Sequence, residues 1–346
     1  MPRGRPRKNK EVPLSPESEK RVKQGLQEAK EGKLEKLDPK ELEPNPNLNK
    51  VVNELSKRFG ADVFHLASEE PDKERIPFGI DQFDKMIGGG IPLGLFTVLW
   101  GNKSAAKTTL AYMAVAQAQQ KGKQCFFIDL EGSFDKAWAA KMGVQLDKLL
   151  IARFKNAEEV MDTIIKLTNE KAVDFIVLDS VQSLSPKGEQ ETKQGKEKSV
   201  EDDTMALLAR KLSQFLRMSA SGVAKGKVGI LLIGQARTDL GSFIKFDTLS
   251  GGHALHHWAS MTIKTYRGTK ADAPRYKFKV DGKAKELLIG FDLCLRLEKT
   301  KSPGTAPENT EIRLPFYYEY GFNKPTDKQI TELFKDWIDF EKGSDE

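Results

Sequence analysis

The stretch "GNKSAAKTT", Gly101 to Thr109, follows the apolar run "LFTVLW" and precedes "LAYMAVAQAQQ", which has the composition of a helix. A strand, a turn and a helix that opens on Lys and Thr are the parts of a phosphate-binding loop. Backbone N–H groups at the helix N-terminus converge on phosphate oxygens, the lysine reaches the β and γ oxygens, and the hydroxyl meets Mg²⁺. Gly101, Lys107 and Thr108 stand at the spacing of the pattern G-x-x-x-x-G-K-[ST], but Ala106 occupies its second glycine. The change matters if that position needs a positive φ or a close approach, and alanine is the smallest side chain that could replace the glycine. For this stretch alone, a strand, turn and helix with a chance lysine is the alternative.

A second element supports the nucleotide reading. "DFIVLDS" ends an apolar run in Asp179, and an aspartate at the carboxyl edge of a parallel strand can hold the water shell of Mg²⁺ beside the phosphates. Asp179 and Ser180 could instead cap the next element. Taken together, the two stretches imply a nucleotide and Mg²⁺ as cofactors. The nucleotide would be held by Gly101, Asn102, Lys103, Ser104, Ala105, Ala106, Lys107, Thr108 and Thr109, and the metal by Thr108 and Asp179.

The elements that must position these residues follow from the hydrophobic pattern. Strands are expected at 96–100, 124–130, 149–154, 174–180 and 228–235, with helices near 107–120, 134–142, 156–170 and 204–220. Strands this apolar, alternating with helices, describe an α/β fold with a parallel sheet covered on both faces. "HWASMTIKTYR", "ELLIGFDLCLRLEK" and "TEIRLPFYYEY" then read as strands with no helix between them, an antiparallel extension. Near the end, Thr326 and Gln329 form a capping box, and Ile330, Leu333, Phe334, Trp337 and Ile338 make a helical stripe that should dock on something.

Composition sets the boundaries. Residues 1–50 are rich in Lys, Glu and Pro and read as a flexible basic tail, with a thin helical stripe at Val22, Leu26 and Ala29. Residues 51–75 read as a linker or oligomerisation segment, 76–322 as the core, and 323–346 as a C-terminal helix and acidic tail. The formal charge of +6 permits nucleic-acid binding without demanding it. Cys125 and Cys294 lie in apolar runs, so buried free thiols are expected, which favours a reducing compartment. No run has the roughly 18 apolar residues of a membrane span and no signal-peptide core is seen, so a cytoplasmic protein without membrane partners is expected.

Beyond the two nucleotide motifs, the chain resembles RecA-type recombinases from about Ile76 to Phe322, and its loop with the lost glycine is similar to the phage (UvsX-like) branch. "FFIDLEGSFDKAWAAKMGV" resembles the family segment with the catalytic glutamate. That resemblance implies this role for Glu131, adenine stacking for Trp138 and a base or ribose contact for Asp135. "LLIGQAR" resembles the strand end whose glutamine senses the γ-phosphate, here Gln235, and "LEKTKSP" the lysine pair that reaches a neighbour's ATP, here Lys299 and Lys301. On position alone, Glu131 could be a surface carboxylate at a helix start and "KTK" a solvated face. The family resemblance makes the nucleotide ATP, and the implied activity is ATP-dependent pairing and strand exchange by a filament on single-stranded DNA. Implied partners are homologous duplex, further copies of the chain and a loading or single-strand-binding protein. For a phage protein the location would be the host cytoplasm. A helicase or translocase on the same core, and a non-catalytic scaffold clamped by ATP, remain open.

DNA contacts are expected from two stretches, 187–203 and 236–253. The second holds Arg237, Phe243, Ile244, Lys245 and Phe246, where cations can track phosphates while apolar side chains separate or stack bases. The resemblance adds Arg210, Ser213 and Arg217 on a helix, and backbone at Gly251 and Gly252. Two N-terminal features carry less: "PRGRPRK" at 2–8 resembles an AT-hook, and "FHLA", Phe64 to Ala67, resembles a subunit-joining plug, with a buried local staple as its alternative. His253, His256 and His257 have no acidic or cysteine partner nearby in sequence, which argues against a metal site.

Overall fold

Apolar runs without alternation form the central strands, because helices cover the sheet on both faces. The computed structural model describes residues 46–60, 64, 67–69, 72–187, 205–238, 247–249, 253–280 and 283–338. The chain divides into two compact units, Met1–Pro71 and Asp72–Glu346. In the first, helix α1 spans Pro46–Phe59, so the tail boundary read at residue 50 falls inside a helix. Pro46 suits the first helical position, and Val51, Leu55 and Phe59 repeat at helical spacing. Phe64 is exposed, so no buried staple forms there. The segment with Val22, Leu26 and Ala29, like residues 2–8, lies outside the described residues.

In the second unit the strands are β1 (Arg75–Ile76), β2 (Ile91–Pro92), β3 (Phe96–Gly101), β4 (Cys125–Asp129), β5 (Leu149–Ala152), β6 (Phe175–Asp179) and β7 (Gly229–Thr238). They continue with β8 (Asp247–Leu249), β9 (Met261–Arg267), β10 (Arg275–Val280), β11 (Lys283–Leu288), β12 (Gly290–Thr300) and β13 (Thr310–Tyr317). The helices are α2 (Asp81–Met86), α3 (Lys107–Gln120), α4 (Lys136–Lys141), α5 (Ala157–Asn169), α6 (Met205–Gly226), α7 (His253–Trp258) and α8 (Asp327–Leu333). The main sheet runs β13-β12-β9-β3-β7-β6-β4-β5, with β8 paired to β7. Pairings from β9 to β5 are parallel, and β12 and β13 extend the sheet antiparallel.

The expectation for "HWASMTIKTYR" is corrected. Its first residues end α7, and β9 runs parallel to β3. Parallel pairing needs a crossover connection, and α7, hidden among histidines and glycines, is part of it. "ELLIGFDLCLRLEK" likewise splits at Ile289, and β10 and β11 form a separate hairpin outside the main sheet.

Side chains alternate strictly across the central strands. Leu99, Phe127, Val177, Leu231 and Ile233 enter one core with Leu110, Tyr112 and Val115 of α3. Val98, Ile128, Ile176, Leu178, Ile230 and Leu232 enter the other with Ile164 of α5 and Leu212, Phe215 and Leu216 of α6. Each such side chain contributes about 1.5–3 kcal/mol of burial, which anchors the strand ends that carry the site. A third cluster joins Leu287, Ile289 and Tyr317 to Ile330 and Phe334, and Trp337 meets Phe278 edge-on at 6.1 Å. The C-terminal helix thus docks as its stripe requires, with its capping box formed, although Leu333 points outward. Cys125 and Cys294 are free and buried. Burial pushes their thiols up, to about 12 and about 11.

Candidate functional site

Parallel register gathers the strand ends at one edge of the sheet. Gly101 closes β3 between Gln235 of β7 and Thr265 of β9, and Asp179 closes β6 opposite Asp129 of β4. The cleft above them has a volume of about 860 Å³. It is lined by residues 103–109, Glu131, Asp135, Ala137, Trp138, Lys141, Asp179 and Gln235, and also by Ile233, Arg267, Phe291, Phe316, Tyr318 and Glu319. Gly101 and Asn102 sit at the base of the loop, where Lys107 Nζ donates to their carbonyl oxygens at 3.0 and 2.6 Å.

The loop geometry explains which glycine is indispensable. A Cβ on Gly101 would lie 1.8 Å from the Thr265 carbonyl oxygen. Ala106 stands at φ 55 and ψ 18, so the position left without its glycine is left-handed, and the small size of alanine does not remove the strain. Such a conformation costs an L-residue about 1–2 kcal/mol. Ser104 is also left-handed, at φ 55. Lys107 ties down the start of this strained turn, and Arg267 Nε braces its tip by donating to the Ser104 carbonyl at 2.9 Å. Burial lowers the Lys107 pKa, while Asp179 and Glu131 act against that shift.

Thr108 Oγ1 donates to Asp179 Oδ2 at 2.7 Å. Burial pushes Asp179 up to about 6; the Glu131 and Asp129 charges add to this, and Thr108 and Lys107 oppose it. A hydroxyl beside a carboxylate is the hard-oxygen pair that suits Mg²⁺, which takes few protein ligands and completes its shell with water and phosphate oxygens. Glu131 Oε1 accepts from Ser180 Oγ and from Gln235 Nε2, the latter at 2.7 Å. Its turn is fixed from behind: Asp129 accepts from the Ser133 and Phe134 backbone N–H groups and from the Arg153 guanidinium. Asp135 Oδ1 caps α4 by accepting from the Trp138 N–H at 3.0 Å, and Trp138 Nε1 donates to Thr109 Oγ1 at 2.9 Å.

Other expected residues lie elsewhere. Lys299 Nζ donates to the carbonyls of His256 and His257, and Lys301 Nζ to that of His257 at 3.3 Å, so both ammonium groups sit at the C-terminal end of α7 and outside this chain's own cleft. Burial and the Lys301 charge lower the Lys299 pKa. Arg210, Ser213 and Arg217 are exposed along one face of α6. Arg237 lies where β7 pairs antiparallel with β8, opposite Thr248. Phe243, Ile244, Lys245, Phe246, Gly251, Gly252 and residues 188–203 fall outside the described residues. No His, Cys, Asp or Glu cluster able to hold a metal ion occurs among the described residues.

Sequence reasoning missed Arg267, Ser180, Asp129 and Arg153. Arg267 was hidden because reading β9 as antiparallel sends its end away from the phosphate edge. The pairing of Asp129 with Arg153 depends on β4 and β5 being neighbours, which no local pattern states.

Strand ends, phosphate loop and cleft define a phosphate-loop ATPase on a mostly parallel α/β sheet. The family model of the RecA N-terminal domain matches residues 46–285. Protein RecA of Mannheimia haemolytica is 32% identical over 292 residues, 83% of this chain and 73% of that protein. Protein RecA of Haemophilus ducreyi is 32% identical over 289 residues, 82% and 72% of the two chains. Protein RecA of Agrobacterium fabrum is 30% identical over 296 residues, 84% and 76%. The chain belongs to the RecA family and is a RecA-type recombinase, a DNA-dependent ATPase. No helix among the described residues is long and apolar enough to cross a membrane.

Proposed function

We propose that the chain is a phage-type (UvsX-like) recombinase that forms filaments on single-stranded DNA and uses ATP to pair it with homologous duplex and exchange strands. The observation that carries this reading is the bond from Gln235 to Glu131. It joins the carboxylate assigned as the base to the strand that continues into the β7–β8 hairpin of the second DNA stretch. Nucleotide state and DNA-loop geometry then share one contact.

In this mechanism Glu131 accepts a proton from the water aligned with the γ-phosphate, which requires hydrogen-bond reach and a fixed carboxylate. Ser180 and Gln235 fix it. Lys107 exchanges its loop carbonyls for phosphate oxygens, and the backbone of residues 103–109 supplies N–H donors at the start of α3. Thr108 and Asp179 would hold Mg²⁺, which neutralises charge on the phosphate oxygens when bound. Trp138 and Asp135 flank the base side of the cleft. Lys299 and Lys301 reach the nucleotide of an adjacent subunit, as an arginine finger supplied in trans does.

Single-stranded DNA lies along Arg210, Ser213 and Arg217 and against the second stretch, with Arg237, Phe243, Ile244, Lys245, Phe246, Gly251 and Gly252. The sequence before α1 is basic, with an AT-hook-like start for A·T-rich duplex. Residues 51–75 contribute to assembly, and α8 closes the core. The protein works in the host cytoplasm with a loading or single-strand-binding partner.

The test is joint-molecule formation between homologous single-stranded and duplex DNA, with ATP, without it, and with heterologous duplex. Products that need both ATP and homology are expected. ATP-driven unwinding regardless of homology would replace this reading with a helicase.

A further inference from the structure

Between Arg275 and Leu288 the hairpin β10–β11 carries five cations and two anions, in a chain whose whole formal charge is +6. Its two faces differ sharply. Residues directly opposite each other share a face. Tyr276 opposes Leu287 on one, and Arg275, Lys277 and Lys279 oppose Leu288, Glu286 and Ala284 on the other. The first face is held by the C-terminal segment through the cluster of Leu287, Ile330 and Phe334 and the Phe278–Trp337 contact. The second exposes Arg275, Lys277 and Lys279.

A lone two-stranded hairpin is marginally stable in water, so a satellite core holds out a strip whose exposed chemistry is cationic. Glu286 is shared by Arg275 at 3.4 Å and Lys277 at 3.3 Å, leaving excess positive charge. The Lys279 ammonium group makes no ion pair or hydrogen bond among the described residues.

We infer that this outer face docks the phosphate backbone of duplex DNA. Alternate residues on a strand recur about every 6.6 Å, and phosphates of one B-form strand rise about 3.4 Å each. Cations at this spacing can each reach a separate phosphate on the densely charged backbone of a stiff duplex. Unpaired strands are gripped largely by aromatic stacking, whereas the hairpin's rings, Tyr276 and Phe278, turn toward the C-terminal segment. The inference rests on the recombinase reading and gives the duplex partner a surface separate from α6 and the second DNA stretch.

The test replaces Arg275, Lys277 and Lys279 with Gln in the full chain. Anisotropy of labelled duplex and of a labelled single strand is followed over a salt series, beside the ATPase rate stimulated by single-stranded DNA. Duplex affinity should fall about 10-fold, and the slope of log affinity against log salt should shrink by about 2–3, since each lost phosphate contact removes roughly 0.9. Single-strand affinity and stimulated ATPase should stay within about twofold, and Lys277→Arg with Lys279→Arg should bind duplex like the wild type. An unchanged duplex slope overturns the inference, as does equal loss on both DNA forms or failure of the arginine variant. If the wild type binds neither DNA form, the recombinase reading itself fails, an outcome distinct from a variant that matches a binding wild type.

Discussion

Gln235 Nε2 donates to Glu131 Oε1 at 2.7 Å, between the turn after β4 and a strand two places away in the sheet. The same oxygen accepts from Ser180, the residue after Asp179. The carboxylate proposed as base is thus bonded to the residue that follows Asp179 on one side and to the strand that leads to β8 on the other.

Replacing Glu131 with Gln keeps the shape of the side chain and removes the base. DNA-stimulated phosphate release should drop about 10²–10⁴-fold, while ATP affinity, read with a fluorescent analogue, stays within a few-fold. A rate near wild type would mean that a group other than Glu131 activates the water.

Ala106→Gly relieves the left-handed strain of about 1–2 kcal/mol but returns about 0.4–1 kcal/mol of unfolded-chain freedom. A net stabilisation of about 0.5–1 kcal/mol is expected as a higher denaturation midpoint, with equal or tighter ATP binding. Ala106→Val should shift both the other way. Gly101→Ala, which drives a methyl group into the Thr265 carbonyl, should abolish nucleotide binding.

The pH dependence of Asp179 has two opposite signs. Its folded pKa is raised from 3.8 to about 6, so its contribution to stability is complete below the unfolded value and is lost as pH rises through about 6. Mg²⁺ needs the carboxylate, so Mg²⁺-dependent ATP affinity should fall as pH drops below about 6. Asp179→Asn should flatten that pH profile at low affinity and stabilise the nucleotide-free protein at pH 8 by on the order of 1–3 kcal/mol. Titrations of affinity and of unfolding at several pH values would separate the two effects.

Lys299 and Lys301 give a complementation test. A chain with Lys299→Ala and Lys301→Ala and a chain with Glu131→Gln should each lose ATPase about 10²-fold or more. Mixed together, they should regain activity, because some interfaces pair an intact glutamate with intact lysines. No regain on mixing would place both groups in service of their own subunit.

Much of this was legible from local pattern. The runs ending in Gly101, Asp129, Asp179 and Gln235 are apolar because they are sheathed on both sides, and their last residues mark the sheet edge. Thr326 and Gln329 likewise announce a helix start that the structure keeps. What escaped depends on neighbours or on backbone angles. The left-handed state of Ala106 is set by the turn around it, the brace from Arg267 by the direction of β9, and the Asp129–Arg153 pair by strand order. The alternation in "RYKFKV" was visible, but the apolar density of the following "ELLIGFDLCLRLEK" drew the strand assignment past it.

An ammonium group occupies one place at a time. In the described state Lys299 and Lys301 close the last turn of α7, whose first residue follows the glycine pair of the second DNA stretch. On the proposed assembly, serving the adjacent nucleotide and closing α7 are mutually exclusive occupations of the same two side chains. When the lysines depart, the carbonyls of His256 and His257 must find water or new donors. Each subunit's helix then registers whether its neighbour, rather than itself, is loaded, and ATP occupancy is read one position along the polymer.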